Sequence, residues 1–127
     1  MAEQKVLLVD DDKDFVEVTR VLLESNGYRV VTAHSGKGAR KKAIAEKPGL
    51  IILDVMMETD TAGFDAARWL RSQEATAKTP VIMLTGVNQK YPFQFGPDDI
   101  WLPVDEFLEK PVAPEKLLEV VKRKTTV

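Results

Sequence analysis

Three unbroken apolar runs, Val6-Leu7-Leu8-Val9, Leu50-Ile51-Ile52-Leu53 and Val81-Ile82-Met83-Leu84, set the rhythm of the chain. Runs this short and this uniformly apolar mark strands buried on both faces, as in the middle of a parallel sheet. Pro48-Gly49 and Pro80 stand just before the second and third of them, as breakers that end the preceding segment. Between the runs the period changes. Phe15, Val18, Leu22 and Leu23 recur at helical spacing, with Asp12 or Asp14 as N-cap and Asn26-Gly27 as the stop. Tyr28 to Thr32 is rich in β-branched residues and predicts another strand, and Ser35 to Glu46 predicts a second helix ended by Lys47-Pro48. An irregular stretch from Met56 to Ala62 precedes a third helix with Phe64, Ala67 and Leu70 on its apolar side.

Asn88 to Val104 breaks this alternation, because Pro92, Gly96, Pro97 and Pro103 interrupt it. Its aromatics, Tyr91, Phe93, Phe95 and Trp101, either cover an edge of the core or form a docking surface, and Trp101 is the better candidate for a partner contact. Glu106-Phe107-Leu108 predicts a short edge strand. Pro114 then opens a last helix carrying Leu117, Leu118 and Val121, with Lys122-Arg123-Lys124 complementing its C-terminal dipole. Strands alternating with helices imply right-handed crossovers and a parallel sheet covered on both sides, an α/β doubly wound fold.

Composition narrows the picture. At 127 residues the chain has room for one domain spanning 1–127. It is 44% hydrophobic and 30% charged, with 18 Lys+Arg against 20 Asp+Glu, so its net charge of -2 gives no general attraction to nucleic acid or an anionic membrane. No apolar run approaches the roughly 20 residues of a membrane span. Cysteine is absent, which excludes disulfides and thiolate metal sites and fits a reducing cytoplasm. The single histidine, His34, reads as a loop residue, and Trp69 as packing.

The polar residues that end the apolar runs carry the candidate chemistry. Asp10 and Asp11 follow the first strand, Asp54 the third, Thr85 the fourth, and Lys110 the fifth. Taken alone, Asp54 either caps the next turn or faces a partner cation, because a carboxylate at the end of a buried strand is costly without one. In open α/β sheets ligands bind outside the carboxyl ends of the strands. Three carboxylates gathered there repel each other, and a hard divalent cation such as Mg²⁺, with oxygen ligands and waters, relieves that repulsion. With Thr85 and Lys110 opposite, the cleft suits a transferring phosphoryl group, and an ionised Asp54 can act as nucleophile.

The set Leu8-Val9-Asp10-Asp11, Leu53-Asp54, Leu84-Thr85 and Glu109-Lys110-Pro111, in this order over nearly the whole chain, resembles the response-regulator receiver domain of two-component signalling. The resemblance implies a flavodoxin-like (βα)₅ sheet with strand order 2-1-3-4-5, and a cytoplasmic phosphoprotein in a phosphorelay rather than a turnover enzyme. It implies that Asp54 accepts a phosphoryl group from a histidine kinase, a phosphotransfer protein or a small phosphodonor. Mg²⁺ would be held by Asp11, Asp54 and the backbone carbonyl of Met56, with Asp10 supporting the metal through water. Thr85 would hydrogen-bond the phosphoryl group, Lys110 would pair with it, and Phe107 would be the switch aromatic. The expected partners are that kinase and a downstream protein, with neither nucleic acid nor membrane.

The chain also departs from the family pattern. Met57-Glu58 replaces Met-Pro after the acceptor, the loop to Gly63 is one residue longer, and Gly86 follows Thr85. Phe107 lacks the hydroxyl that a tyrosine would turn outward, and Asn88 to Val104 lies where the fourth helix is expected, which makes that helix irregular or missing. Met56 and Val87 flank the expected path of the hydrolytic water. Both are apolar, so slow loss of the phosphoryl group is expected. Two other readings compete: a phosphorylation-independent interaction module of the same fold, and a metal-dependent phosphatase. The latter needs a second acid where Met56 stands.

Overall fold

A computed structural model describes residues 4–55, 62–86, 105–110 and 112–125. In chain order the elements are β1 (Lys5–Val9), α1 (Lys13–Glu24), β2 (Arg29–Ala33), α2 (Gly36–Glu46), β3 (Leu50–Asp54), α3 (Ala62–Ser72), β4 (Val81–Gly86), β5 (Glu106–Lys110) and α4 (Pro114–Thr125). All strand pairings are parallel, and the sheet order is β2-β1-β3-β4-β5, as the resemblance implies. Asn88 to Val104, Met56 and Val87 lie outside the described residues, so the expectations attached to them are not addressed by this fold.

The apolar runs are continuous because both faces of each central strand are covered. Leu7, Val9, Ile51, Leu53, Val81 and Met83 meet Ala39 and Ala43 of α2 and Ala66, Ala67 and Leu70 of α3. The alternate residues Val6, Leu8, Leu50, Ile52, Ile82 and Leu84 meet Val16 and Leu23 of α1 and Leu117, Val120 and Val121 of α4. Each fully buried leucine or isoleucine here contributes roughly 1.5–3 kcal/mol of transfer free energy. Trp69 packs partly buried against the first of these cores.

Two local details differ from the sequence pattern. The sheet-facing side of α1 consists of Val16, Thr19 and Leu23, whereas Val18 is 68% exposed. At about 100° per residue, Val18 lies about 200° around the helix from Val16, so the two cannot face the sheet together. The polar Thr19 on the inner stripe and the apolar Val18 and Val21 on the outer one conceal this in the sequence. In α4, similarly, Val120 is buried and Leu118 only partly so. The caps follow ordinary rules. Asp12 caps α1, accepting from the N–H groups of Asp14 and Phe15, and Lys47 ends α2 in the left-handed region at φ 50° before Pro48.

The entrance to β4 and β5 is tied from α3. Asp105 accepts from the Val81 N–H at 2.7 Å and from Arg71 Nη2 at 2.7 Å, and Arg71 also donates to the carbonyl of Ala77 at 3.2 Å. These bonds anchor the N-terminal edge of the sheet, opposite the acidic edge. Among the described residues, no helix is long and apolar enough to cross a membrane.

Candidate functional site

Strand register brings the singled-out residues to one edge. Val9 pairs with Leu53 and Asp54 with Leu84, so Asp10, Asp54 and Thr85 fall at adjacent carboxyl ends of β1, β3 and β4. Gly86 pairs with Lys110, which places the lysine at the end of β5 on that same edge. The lysine belongs to the strand itself, two residues beyond the segment that the sequence pattern marks. Asp10 is fully buried, Asp54 is 6% exposed and Thr85 8% exposed, while Asp11 lies open to solvent.

Asp10 is the hub of the cluster. Its Oδ2 accepts from Lys110 Nζ at 2.5 Å and its Oδ1 from the Asp12 N–H at 2.9 Å. Its own N–H donates to the Ala33 carbonyl at 3.2 Å, and its carbonyl accepts from His34 Nδ1 at 3.0 Å. His34 is therefore a loop residue, as its sequence context implies, and it also braces the backbone of the acidic edge. That role had no sequence signal, because it depends on β1 and β2 pairing in register. Lys110 Nζ stands 3.7 Å from Asp54 Oδ2, so one ammonium is shared by two buried carboxylates.

Three carboxylates face one ammonium, leaving negative charge uncompensated. Burial, followed by the charge of Asp10, pushes the Asp54 carboxyl from 3.8 up to about 7, although Lys110 pulls the other way. Burial pulls the Lys110 ammonium down, but its hydrogen bond to Asp10 and the charges of Asp10 and Asp54 outweigh this, and the net shift is upward. A cation therefore has an electrostatic reason to bind. One ligand oxygen from each of Asp10, Asp11 and Asp54 can be chosen so that all lie within 4.8 Å of one another. Oxygens on one Mg²⁺ at about 2.1 Å lie about 3–4 Å apart, so small side-chain rotations suffice, and the all-oxygen donor set fits this hard cation.

The backbone beside Asp54 is closely packed. The Gly63 N–H donates to the Val55 carbonyl at 2.8 Å, and a Cβ on Gly63 would sit 2.1 Å from the Asp54 carbonyl oxygen. Only glycine allows α3 to start this close to the acceptor strand. The Met56 carbonyl lies outside the described residues. Phe107 of β5, at 36% exposure, pairs in register with Met83 of β4, away from the carboxylates at the strand ends.

Residues 6–122 match the family model described as response regulator receiver domain. The chain is 36% identical over 119 residues to the alkaline phosphatase synthesis transcriptional regulatory protein PhoP of Bacillus subtilis, covering 94% of this chain and 47% of that protein. It is 36% identical over 114 residues to the transcriptional regulatory protein CpxR of Escherichia coli, covering 90% of this chain and 46% of that one. The chain thus spans about half the length of the curated relatives it matches. Among solved structures, the chemotaxis response regulator CheY4 of Vibrio cholerae superimposes with a TM-score of 0.81 at 31% identity, covering 97% of this chain and 99% of that one. A response regulator from Chloroflexus aurantiacus gives 0.82 at 26% identity, with 98% of each chain covered.

Proposed function

The chain belongs to the response regulator receiver domain family, and on that premise we propose that it is a phosphorylation switch with Asp54 as the phosphoryl acceptor. The observation that carries this is the meeting of the nearly buried Asp54 with Asp10, Asp11 and Lys110 at one sheet edge. A carboxylate oxygen of Asp54 attacks phosphorus. The new bond is an acyl phosphate P–O bond, and the bond that breaks joins phosphorus to the donor, either a kinase histidine nitrogen or the oxygen of a small phosphodonor such as acetyl phosphate. The leaving group departs with the electron pair: the kinase imidazole takes up a proton at the nitrogen released, whereas acetate leaves as the anion.

Asp11 and Asp54, with the backbone carbonyl of Met56, would hold Mg²⁺, and Asp10 would support it through water. A bound Mg²⁺ would supply positive charge that keeps Asp54 ionised and offsets charge on the incoming phosphoryl oxygens. Lys110 pairs with a phosphoryl oxygen by giving up part of its contact with Asp10. The Thr85 hydroxyl donates to another. Phe107 serves as the switch aromatic, reporting the phosphorylated state by burial alone because it has no hydroxyl to turn outward.

Met56 and Val87 offer no polar group to orient water, so the acyl phosphate is long-lived, and self-catalysed dephosphorylation is slow. Decay in the unmodified chain faster than in a Met56→Asn variant would contradict that part. The donor partner is a histidine kinase or phosphotransfer protein, and the reader is a protein surface rather than nucleic acid bound by this segment. Its relatives PhoP and CpxR are transcriptional regulatory proteins roughly twice as long as this chain.

The test is intact-mass measurement after incubation with acetyl phosphate and Mg²⁺. One phosphoryl adduct is expected, and it should be absent from Asp54→Asn. An adduct that persists in Asp54→Asn sinks the assignment.

A further inference from the structure

The first turn of α1 contributes an aromatic ring to this site. Lys110 Nζ lies 4.8 Å from the centroid of the Phe15 ring, on the ammonium that also contacts Asp10 and Asp54. An ammonium at that distance from a ring centroid is attracted by the negative face of the ring. Lys110 is partly withdrawn from water, with its side chain 24% exposed, so this attraction is less screened than at an open surface. Phe15 is itself held in place. It packs partly buried against the core shared by α1 and α4, and its N–H is bound by the Asp12 cap.

The contacts close on themselves. Asp10 holds the Asp12 N–H, Asp12 caps the turn that carries Phe15, the Phe15 ring covers Lys110, and Lys110 returns to Asp10. The ring therefore touches the very ammonium that must move if Lys110 is to leave Asp10 for a phosphoryl oxygen. A carboxylate alone would let the flexible lysine stem follow the strongest negative charge out toward solvent. The ring adds an attraction that is uncharged, fixed in position and unaffected by the arrival of an anion.

We propose that Phe15 is a positioning residue for phosphoryl capture, its ring keeping the Lys110 ammonium within the cleft as that ammonium shifts from Asp10 to the phosphoryl group. The proposal rests on the phosphoacceptor reading of Asp54. An aliphatic side chain at position 15 fills the same space against the core but has no face to offer the cation.

Beryllium fluoride with Mg²⁺, a phosphoryl mimic, serves as the probe, with affinity measured by calorimetry on the full chain. Phe15→Leu and Phe15→Met should bind it about two- to ten-fold more weakly, the size implied by loss of a partly desolvated cation–ring contact. Phe15→Tyr, which keeps the ring, should remain near the unmodified affinity, and urea midpoints should show that the ringless variants stay folded. In a Lys110→Met background, where no ammonium remains, Phe15→Leu should cause no further loss. Ringless variants with unchanged affinity, or a loss that persists in Lys110→Met, would overturn the proposal. If the unmodified chain binds no beryllium fluoride and acquires no phosphoryl adduct, the Asp54 reading fails first and this one with it.

Discussion

Replacing Asp54 with asparagine should stabilise the metal-free protein. Asp54 is 6% exposed, and burial with the charge of Asp10 raises its carboxyl from 3.8 to about 7. A raised carboxyl holds its proton more tightly folded than unfolded. Below pH 3.8 both states are protonated and the group contributes nothing. As pH rises toward 7 the unfolded chain ionises freely while the folded chain resists, and stability falls by about 1.36 kcal/mol for each pH unit in that window. The full effect above pH 7 has a ceiling of about 4 kcal/mol, and relaxation of the cluster and movement of Lys110 reduce the expected value to about 1–3 kcal/mol. Asparagine matches the neutral acid in shape and carries no charge to bury. Urea denaturation in EDTA at pH 5 and pH 8 reads this out. Asp54→Asn should exceed the unmodified chain by about 1–3 kcal/mol at pH 8 and by less than half of that at pH 5. Equal or lower stability of Asp54→Asn at pH 8, or a gain of the same size at both pH values, would refute the electrostatic argument.

Three further outcomes are expected. Mg²⁺ at millimolar concentration should raise the urea midpoint of the unmodified chain and raise that of Asp54→Asn much less, because the carboxylate cluster proposed to hold the ion is assembled only in the folded chain; equal shifts in both would remove Asp54 from the ligand set. Gly63→Ala should destabilise by about 1–3 kcal/mol and slow phosphoryl uptake, because its Cβ would meet the Asp54 carbonyl at 2.1 Å; denaturation and timed intact-mass measurements would check both. Asp105→Ala should cost about 2 kcal/mol by urea denaturation, since it leaves the Val81 N–H and the Arg71 guanidinium without their shared acceptor; a loss below a few tenths would show that water replaces the carboxylate.

The sheet was readable in the sequence because its central strands are covered on both faces. A run such as Ile51-Ile52-Leu53 is apolar in whichever phase it is read, so no face had to be assigned. The helices offered no such safety. In α1 the inner stripe contains Thr19 and the outer one Val18 and Val21, so counting apolar residues selects a mixed face. Asp10, Asp11, Asp54, Thr85 and Lys110 were legible because each closes a strand, and parallel strands put all such closures on one edge. Phe15 over Lys110, His34 on the Asp10 carbonyl, and Asp105 beneath Arg71 were not. Each joins elements far apart in the chain through a side chain that also satisfies an ordinary local role: core cover, loop polarity or strand entry. Local patterns record only the local role.

The energetics of Asp54 and the geometry around Lys110 support the same reading. A buried carboxylate raised to about 7 makes the metal-free fold less stable at neutral pH than its apolar core allows. That deficit can be recovered only by something that brings positive charge or donates hydrogen bonds at the sheet edge. Whatever binds there is coupled to every element the cluster holds: β2 through His34, α1 through Asp12 and Phe15, and β5 through Lys110. On the proposed reading, Lys110 turning toward a phosphoryl oxygen would cost the carboxylate of Asp10 its 2.5 Å contact at the end of β5. The electrostatic cost in the resting fold would then be a source of free energy that couples a covalent change at Asp54 to the elements joined at this edge.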